Sequence, residues 1–127
     1  MRYVQETAKS PAQAVSDLTE AVKKHGFGVL HTYNLKETLA SKGFDLPEAC
    51  HILEICNPQE AINVLSEDMG MNIALPCRVS LYTESGQTKI AMAKPSALLS
   101  ALSDSPALAE TASEVEEKMI TMISEAS

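Results

Sequence analysis

The chain has 127 residues, a length suited to one domain over 1–127 that buries about two-thirds of its unfolded surface. Its 45% hydrophobic and 21% charged content excludes a disordered chain, and a net charge of −7 without a basic run excludes a binder of nucleic acid. No apolar run approaches the roughly 20 residues that span a bilayer, and Met1-Arg2-Tyr3-Val4-Gln5-Glu6 has no apolar signal region, so cytoplasmic residence away from membranes is expected.

In that compartment Cys50, Cys56 and Cys77 stay reduced, and no disulfide framework is expected. Aromatic residues are scarce, so the core must rest on Leu, Ile, Val, Ala and Met.

Residues 1–7 read as a first strand. Ser10-Pro11-Ala12-Gln13 opens a helix: Ser10 caps, Pro11 suits the first turn and Gln13 completes a capping box. Ala14, Val15, Leu18, Ala21 and Val22 follow at helical spacing, and Gly26 ends the helix with Phe27 folded back on Val22. Residues 27–33 form the next strand, with Phe27, Val29, His31 and Tyr33 on one face and Leu30 and Thr32 on the other. Asn34 and Glu37 cap a short helix over 35–42, which Gly43 stops.

Strand 49–56 alternates Cys50, Ile52, Glu54 and Cys56 with His51, Leu53 and Ile55. Asn57-Pro58-Gln59-Glu60 is a third capping box, and its helix turns Ala61, Ile62 and Leu65 inward before stopping near Asp68-Met69-Gly70. Pro76 begins a strand through Tyr82, Ser85-Gly86 turns, and Thr88–Ala93 returns as the hairpin partner. Pro95 stops that strand. Residues 96–105 read as irregular, with one helical turn at Ala97–Leu102. Ser105-Pro106 starts a final helix with Leu108, Ala112, Val115, Met119, Met122 and Ile123 on its apolar face. The expected class is α+β: a mostly antiparallel sheet covered by helices on one face. The strand–helix alternation of the first half also fits a partly parallel sheet.

Chemistry concentrates between Glu54 and Arg78. Cys56 precedes a helix N-terminus, where orphan N–H groups and the helix dipole favour a thiolate. Cys77 is followed by Arg78, a second source of thiolate stabilisation, although strand neighbours point to opposite faces. The plainer reading makes both cysteines small buried hydrophobes. Glu54 shares parity with Cys56 and could orient its thiol or face solvent. Asn57 is a helix cap first and a pocket-lining polar group second. His31 reads as a core histidine with one hydrogen bond, or else as a general acid–base. Cys56-x20-Cys77 matches no compact zinc spacing, so neither a metal nor a cofactor is expected. Met69, Met71 and Met92 read as core residues rather than ligands of a soft ion. No phosphate-binding loop and no nucleophile elbow occur.

Glu54-Ile55-Cys56-Asn57-Pro58 and Leu75-Pro76-Cys77-Arg78, with Gly26-Phe27-Gly28-Val29-Leu30 and Lys94-Pro95-Ser96, resemble the DUF302 family of small prokaryotic proteins. The resemblance covers about residues 1–100. It implies a fold like half of the TATA-binding protein, strand-helix-strands-helix, and it implies dimers. It does not imply DNA binding or any established activity.

The leading functional expectation is a non-enzymatic binding module, a homodimer with a small-molecule pocket lined by Ile55, Cys56, Asn57, Pro76 and Cys77. Arg78, Glu54 and His31 are its outer candidates. The alternative is a thiol redox or sulfur-relay protein with Cys56 as nucleophile and Cys77 as resolving thiol. A third reading is a structural dimer subunit without chemistry. The expected dimer contact is the Met119, Met122, Ile123 end of the last helix. The resemblance implies a mainly antiparallel sheet, so the strands carrying Cys56 and Cys77 are expected to be antiparallel, with both thiols at one end of the sheet beside Asn57. A parallel strand would hold them roughly 20 Å apart.

Overall fold

Local capping chemistry sets the element boundaries in this computed structural model, which describes residues 1–127. The order is β1 (Arg2–Thr7), α1 (Pro11–Lys24), β2 (Gly28–Asn34), α2 (Leu35–Ser41), β3 (Cys50–Cys56), α3 (Pro58–Glu67), β4 (Cys77–Glu84), β5 (Gln87–Ala93), α4 (Pro95–Leu102) and α5 (Pro106–Ala126), with a 3-10 turn over Met69–Ala74. Ser10 accepts from the Gln13 N–H at 3.2 Å to start α1. At its end the Phe27 N–H donates to the Val22 carbonyl at 3.0 Å and the Gly26 N–H to that of Lys23 at 3.1 Å, the paired bonds of a Schellman close.

Gly26 sits at φ 79°, in the left-handed region. A β-branched side chain is strained there. Gly26→Val is expected to lower stability by roughly 2 kcal/mol, read from the urea midpoint at unchanged slope. In the β4–β5 hairpin Ser85 and Gly86 take φ 52° and 77° in succession, the signature of a type I′ turn. Gly86 is therefore as poor a site for Ala as Gly26. Ser85→Asn is expected to raise stability by about 0.5 kcal/mol, because Asn tolerates this backbone better than Ser.

The five strands form one sheet in the order β1-β5-β4-β3-β2, and every pairing is antiparallel. The α+β reading holds, and the partly parallel option falls away. Helices α1 and α5 bring Leu18, Val22, Met119, Met122 and Ile123 onto Leu53, Ile55, Val79, Leu81 and Ile90 of the sheet. Each such large apolar side chain, once fully buried, contributes about 1.5–3 kcal/mol. A smaller cluster of Val64, Met71, Leu99, Leu108 and Ala112 joins α3, the 3-10 turn, α4 and the start of α5.

Several expectations change here. Segment 95–102 is an eight-residue helix rather than an irregular stretch, with Pro95 in its first turn and Leu99 buried. A proline that ends a strand also starts a helix well, because its missing N–H costs nothing there. In α3 the buried residue is Val64, while Ile62 is exposed. Met71 and Met92 are core residues as expected, but Met69 is exposed. Met119, Met122 and Ile123 are 1%, 1% and 0% exposed. They are consumed by the chain's own core and cannot form the expected contact between copies.

Strand β2 carries a bulge. Val29 pairs with Ile55, but His31 pairs with Glu54, so Leu30 is an extra residue opposite no partner. The bulge reverses pleat parity. Val29 packs on the core, while His31 and Tyr33 lie on the opposite face of the sheet, not with Phe27 and Val29 as alternation predicts.

Candidate functional site

The site is built where β3 hands over to α3 and the 3-10 turn hands over to β4. Asn57 Oδ1 accepts from the N–H groups of Gln59 and Glu60 at 3.0 and 3.2 Å, which ends the strand at Cys56 and starts the helix. Pro58 occupies the first turn. Asp68 then caps the 3-10 turn through Gly70 N at 2.9 Å, and a cis Leu75–Pro76 peptide leads into Cys77.

Antiparallel pairing sets Ile55 opposite Cys77, so Cys56 and Cys77 are diagonal neighbours. Strand spacing and rise put their Cα atoms on the order of 6 Å apart. The far-end geometry of about 20 Å does not arise. Both cysteines are free. Cys56 is one residue out of register with Cys77, and pleat alternation sends residues so offset to opposite faces, which works against a direct disulfide. Cys77 packs against the core, and burial, reinforced by the nearby Cys56, pushes its thiol up to about 11. Burial also pushes the Cys50 thiol up.

Ile55, Cys56, Asn57, Pro76 and Cys77 all border one cavity of about 340 Å³. Phe27, Val64, Leu75, Leu99 and Val115 supply much of its apolar wall. Leu30, the bulge residue, also borders it and is 61% exposed. Glu60 lines it as well. Its capping-box bond back to Asn57 is not made; instead Oε1 lies 3.8 Å from Lys118 Nζ, and Oε2 is buried with no donor in reach. Sequence reading spent Glu60 on the cap and so missed it as a pocket residue.

Arg78 and Glu54 do not border this cavity. They face each other across β4 and β3 on the sheet face that no helix covers. Arg78 thus turns away from Cys77 and does not stabilise its thiolate. A depression of about 730 Å³ runs along this face past Ile52, Glu54, Arg78, Ser80 and Tyr82 and reaches Pro76, Cys77 and Leu99, which also border the first cavity. Arg2 borders it too, so both arginines of the chain line one depression.

At its β2 edge Tyr33 donates its hydroxyl proton to Glu54 Oε1 at 2.7 Å, and His31 stacks on Tyr33 with centroids 4.6 Å apart. The bond to Glu54 raises the Tyr33 pKa by holding the phenol proton. His31 is exposed, not a core histidine, and it borders neither cavity. The bulge that places it beside Glu54 leaves no mark in local alternation. No group of three or more His, Cys, Asp or Glu side chains converges as metal ligands. No helix is long and apolar enough to cross a membrane.

The sequence profile described as "Domain of unknown function DUF302" matches residues 3–126. The fold is similar to the crystal structure of an uncharacterized conserved DUF302 protein from Bacillus stearothermophilus, with a TM-score of 0.95 and 36% identity over 99% of this chain and 98% of that one. No curated protein matches the sequence. With the profile spanning nearly all of its length and a like fold in a protein of the same description, the chain belongs to the DUF302 family.

Proposed function

We propose that this chain is a cytoplasmic small-molecule-binding module that acts as a homodimer and catalyses no reaction. The observation that carries the reading is the 340 Å³ cavity into which both cysteine motifs converge. Its size falls at the lower end of small-molecule sites, and apolar walls with a few polar groups are their usual construction. The free cysteines fit a reducing compartment. Native mass spectrometry of protein taken gently from cells is the test. A retained mass is expected, and Ala61→Phe, which fills the cavity, should lose it. An empty protein that also gains no thermal stability from a panel of apolar compounds would sink the reading.

The uncovered sheet face suits the contact between copies. Val4 and Tyr33 are 44% and 39% exposed on it, and Glu54 beside Arg78 makes the face complementary to itself under a two-fold axis. Light scattering at micromolar concentration should return a dimer mass, and Ile52→Glu should return a monomer. A monomer in the parent chain removes the dimer from the reading.

A thiol relay from Cys56 to Cys77 draws on the closeness of the two residues. Burial works against it, because a thiol pushed up to about 11 is protonated near neutral pH and is a poor thiolate donor.

A further inference from the structure

We propose that the cavity selects a small amphipathic cation, a primary ammonium on an apolar body, and holds the ammonium at Glu60. The inference rests on the binding-module reading and adds the ligand's chemical class. Glu60 stands in the first turn of α3 with its side chain 14% exposed, and it borders the apolar cavity. Its Oε2 is fully buried and receives no hydrogen bond. A buried carboxylate oxygen without a donor is unfavourable, and a second charge or donor beside it relieves that.

The chain's own groups supply one nearby charge, Lys118, and no hydrogen bond to Oε2. Lys118 Nζ stands 3.8 Å from the other oxygen, Oε1, beyond the roughly 2.7–2.9 Å of a charge-assisted bond. No side-chain donor on the cavity wall bonds to Oε2: neither the Asn57 Nδ2 amide nor the Thr111 hydroxyl does so, and Asn72 donates its side-chain amide to the Met69 carbonyl. The bond that a capping box would draw from the Asn57 N–H to the Glu60 carboxylate is not formed either, so Oε2 is left without a donor beside the cavity. An ammonium offers several donors and a compensating charge, where an alcohol offers one donor and no charge. An anion is disfavoured beside the carboxylate. The apolar body has its own seat on Phe27, Val64, Leu75 and Val115. The Leu30 bulge, 61% exposed and bordering the same space, marks the mouth.

Octylamine, octanol and octanoate share a tail and differ only in the head, and their dissociation constants can be measured on the full chain by native mass spectrometry and thermal shift. Octylamine is expected to bind about tenfold more tightly than octanol, the size of one charge-assisted bond, and octanoate more weakly than either. Glu60→Gln should bring the amine-to-alcohol ratio to about one while octanol still binds. Lys118→Met, which removes the neighbouring ammonium at a half-exposed position, should raise that ratio several-fold, and it serves if Glu60→Gln does not fold. A ratio of one in the parent chain, or one that neither substitution moves, overturns the ammonium site while leaving the pocket reading intact. No binding by any of the three overturns both.

Discussion

With Cys50 and Cys56 replaced by Ser, Cys77 should react with iodoacetamide near neutral pH about a hundredfold more slowly than in the same chain unfolded in urea. The reason is burial. Cys77 opens β4 with its side chain against the core, and its thiol is pushed from 9.0 to about 11, chiefly by desolvation of the thiolate. Two units of pKa leave about one-hundredth of the thiolate, and the thiolate is the species that attacks.

The same shift has a consequence for stability, with a defined sign. The folded pKa is raised above the unfolded one. The stabilisation is therefore fully present below 9.0, where both states keep the proton, and is lost as pH rises toward about 11. The loss is on the order of 2 kcal/mol for a largely buried group. Urea midpoints across that alkaline range measure it in the parent chain against Cys77→Ala. Alkylation as fast in the folded chain as in the unfolded one would restore the thiol relay as the better reading.

Met122→Asp should unfold the protein. Met122 is 1% exposed on the face of α5 that meets the sheet. The substitution removes an apolar side chain worth roughly 2–5 kcal/mol on truncation and buries a carboxylate with no partner. Domains of this kind hold only about 5–15 kcal/mol in total. Circular dichroism should show a lost or sharply lowered melting transition. Ile52→Glu, on the uncovered sheet face, should keep the melting transition within a few degrees and act only on association. A folded, monomeric Met122→Asp beside a dimeric parent would return the contact to the last helix.

The contrast between these two substitutions also separates what was legible in the sequence from what was not. The apolar stripe of α5 was legible, since Leu108, Ala112, Val115, Met119, Met122 and Ile123 recur at helical spacing. Which surface the stripe covers was not. Spacing marks a face as apolar, but whether it packs on its own sheet or on another copy depends on residues distant in the chain.

Capping and turn chemistry was legible for the same local reason. Ser10, Asn34, Asn57 and Ser105 accept from backbone N–H groups just inside their helices, as the sequence implied. Gly26 forms the expected stop. The convergence of Ile55, Cys56, Asn57, Pro76 and Cys77 on one cavity also followed once β3 and β4 were taken as antiparallel, and pleat alternation alone separated Cys77 from Arg78.

Length, charge pattern, caps, helix stripes and strand alternation thus determined the α+β class and most element boundaries, because each depends on residues within a few positions of one another. The neighbourhood of the two cysteines needed the antiparallel pairing that the family resemblance implied. Tertiary structure decided the rest. The Leu30 bulge turned His31 and Tyr33 onto the uncovered face beside Glu54. The packing of Leu99 against Val64 and Leu108 kept Pro95–Leu102 helical. Glu60 pairs with Lys118 of α5 in place of the bond back to its cap, and the core claimed the methionines of α5. In each case cross-strand register or burial among distant residues made the choice, and neither is encoded in the spacing of neighbours.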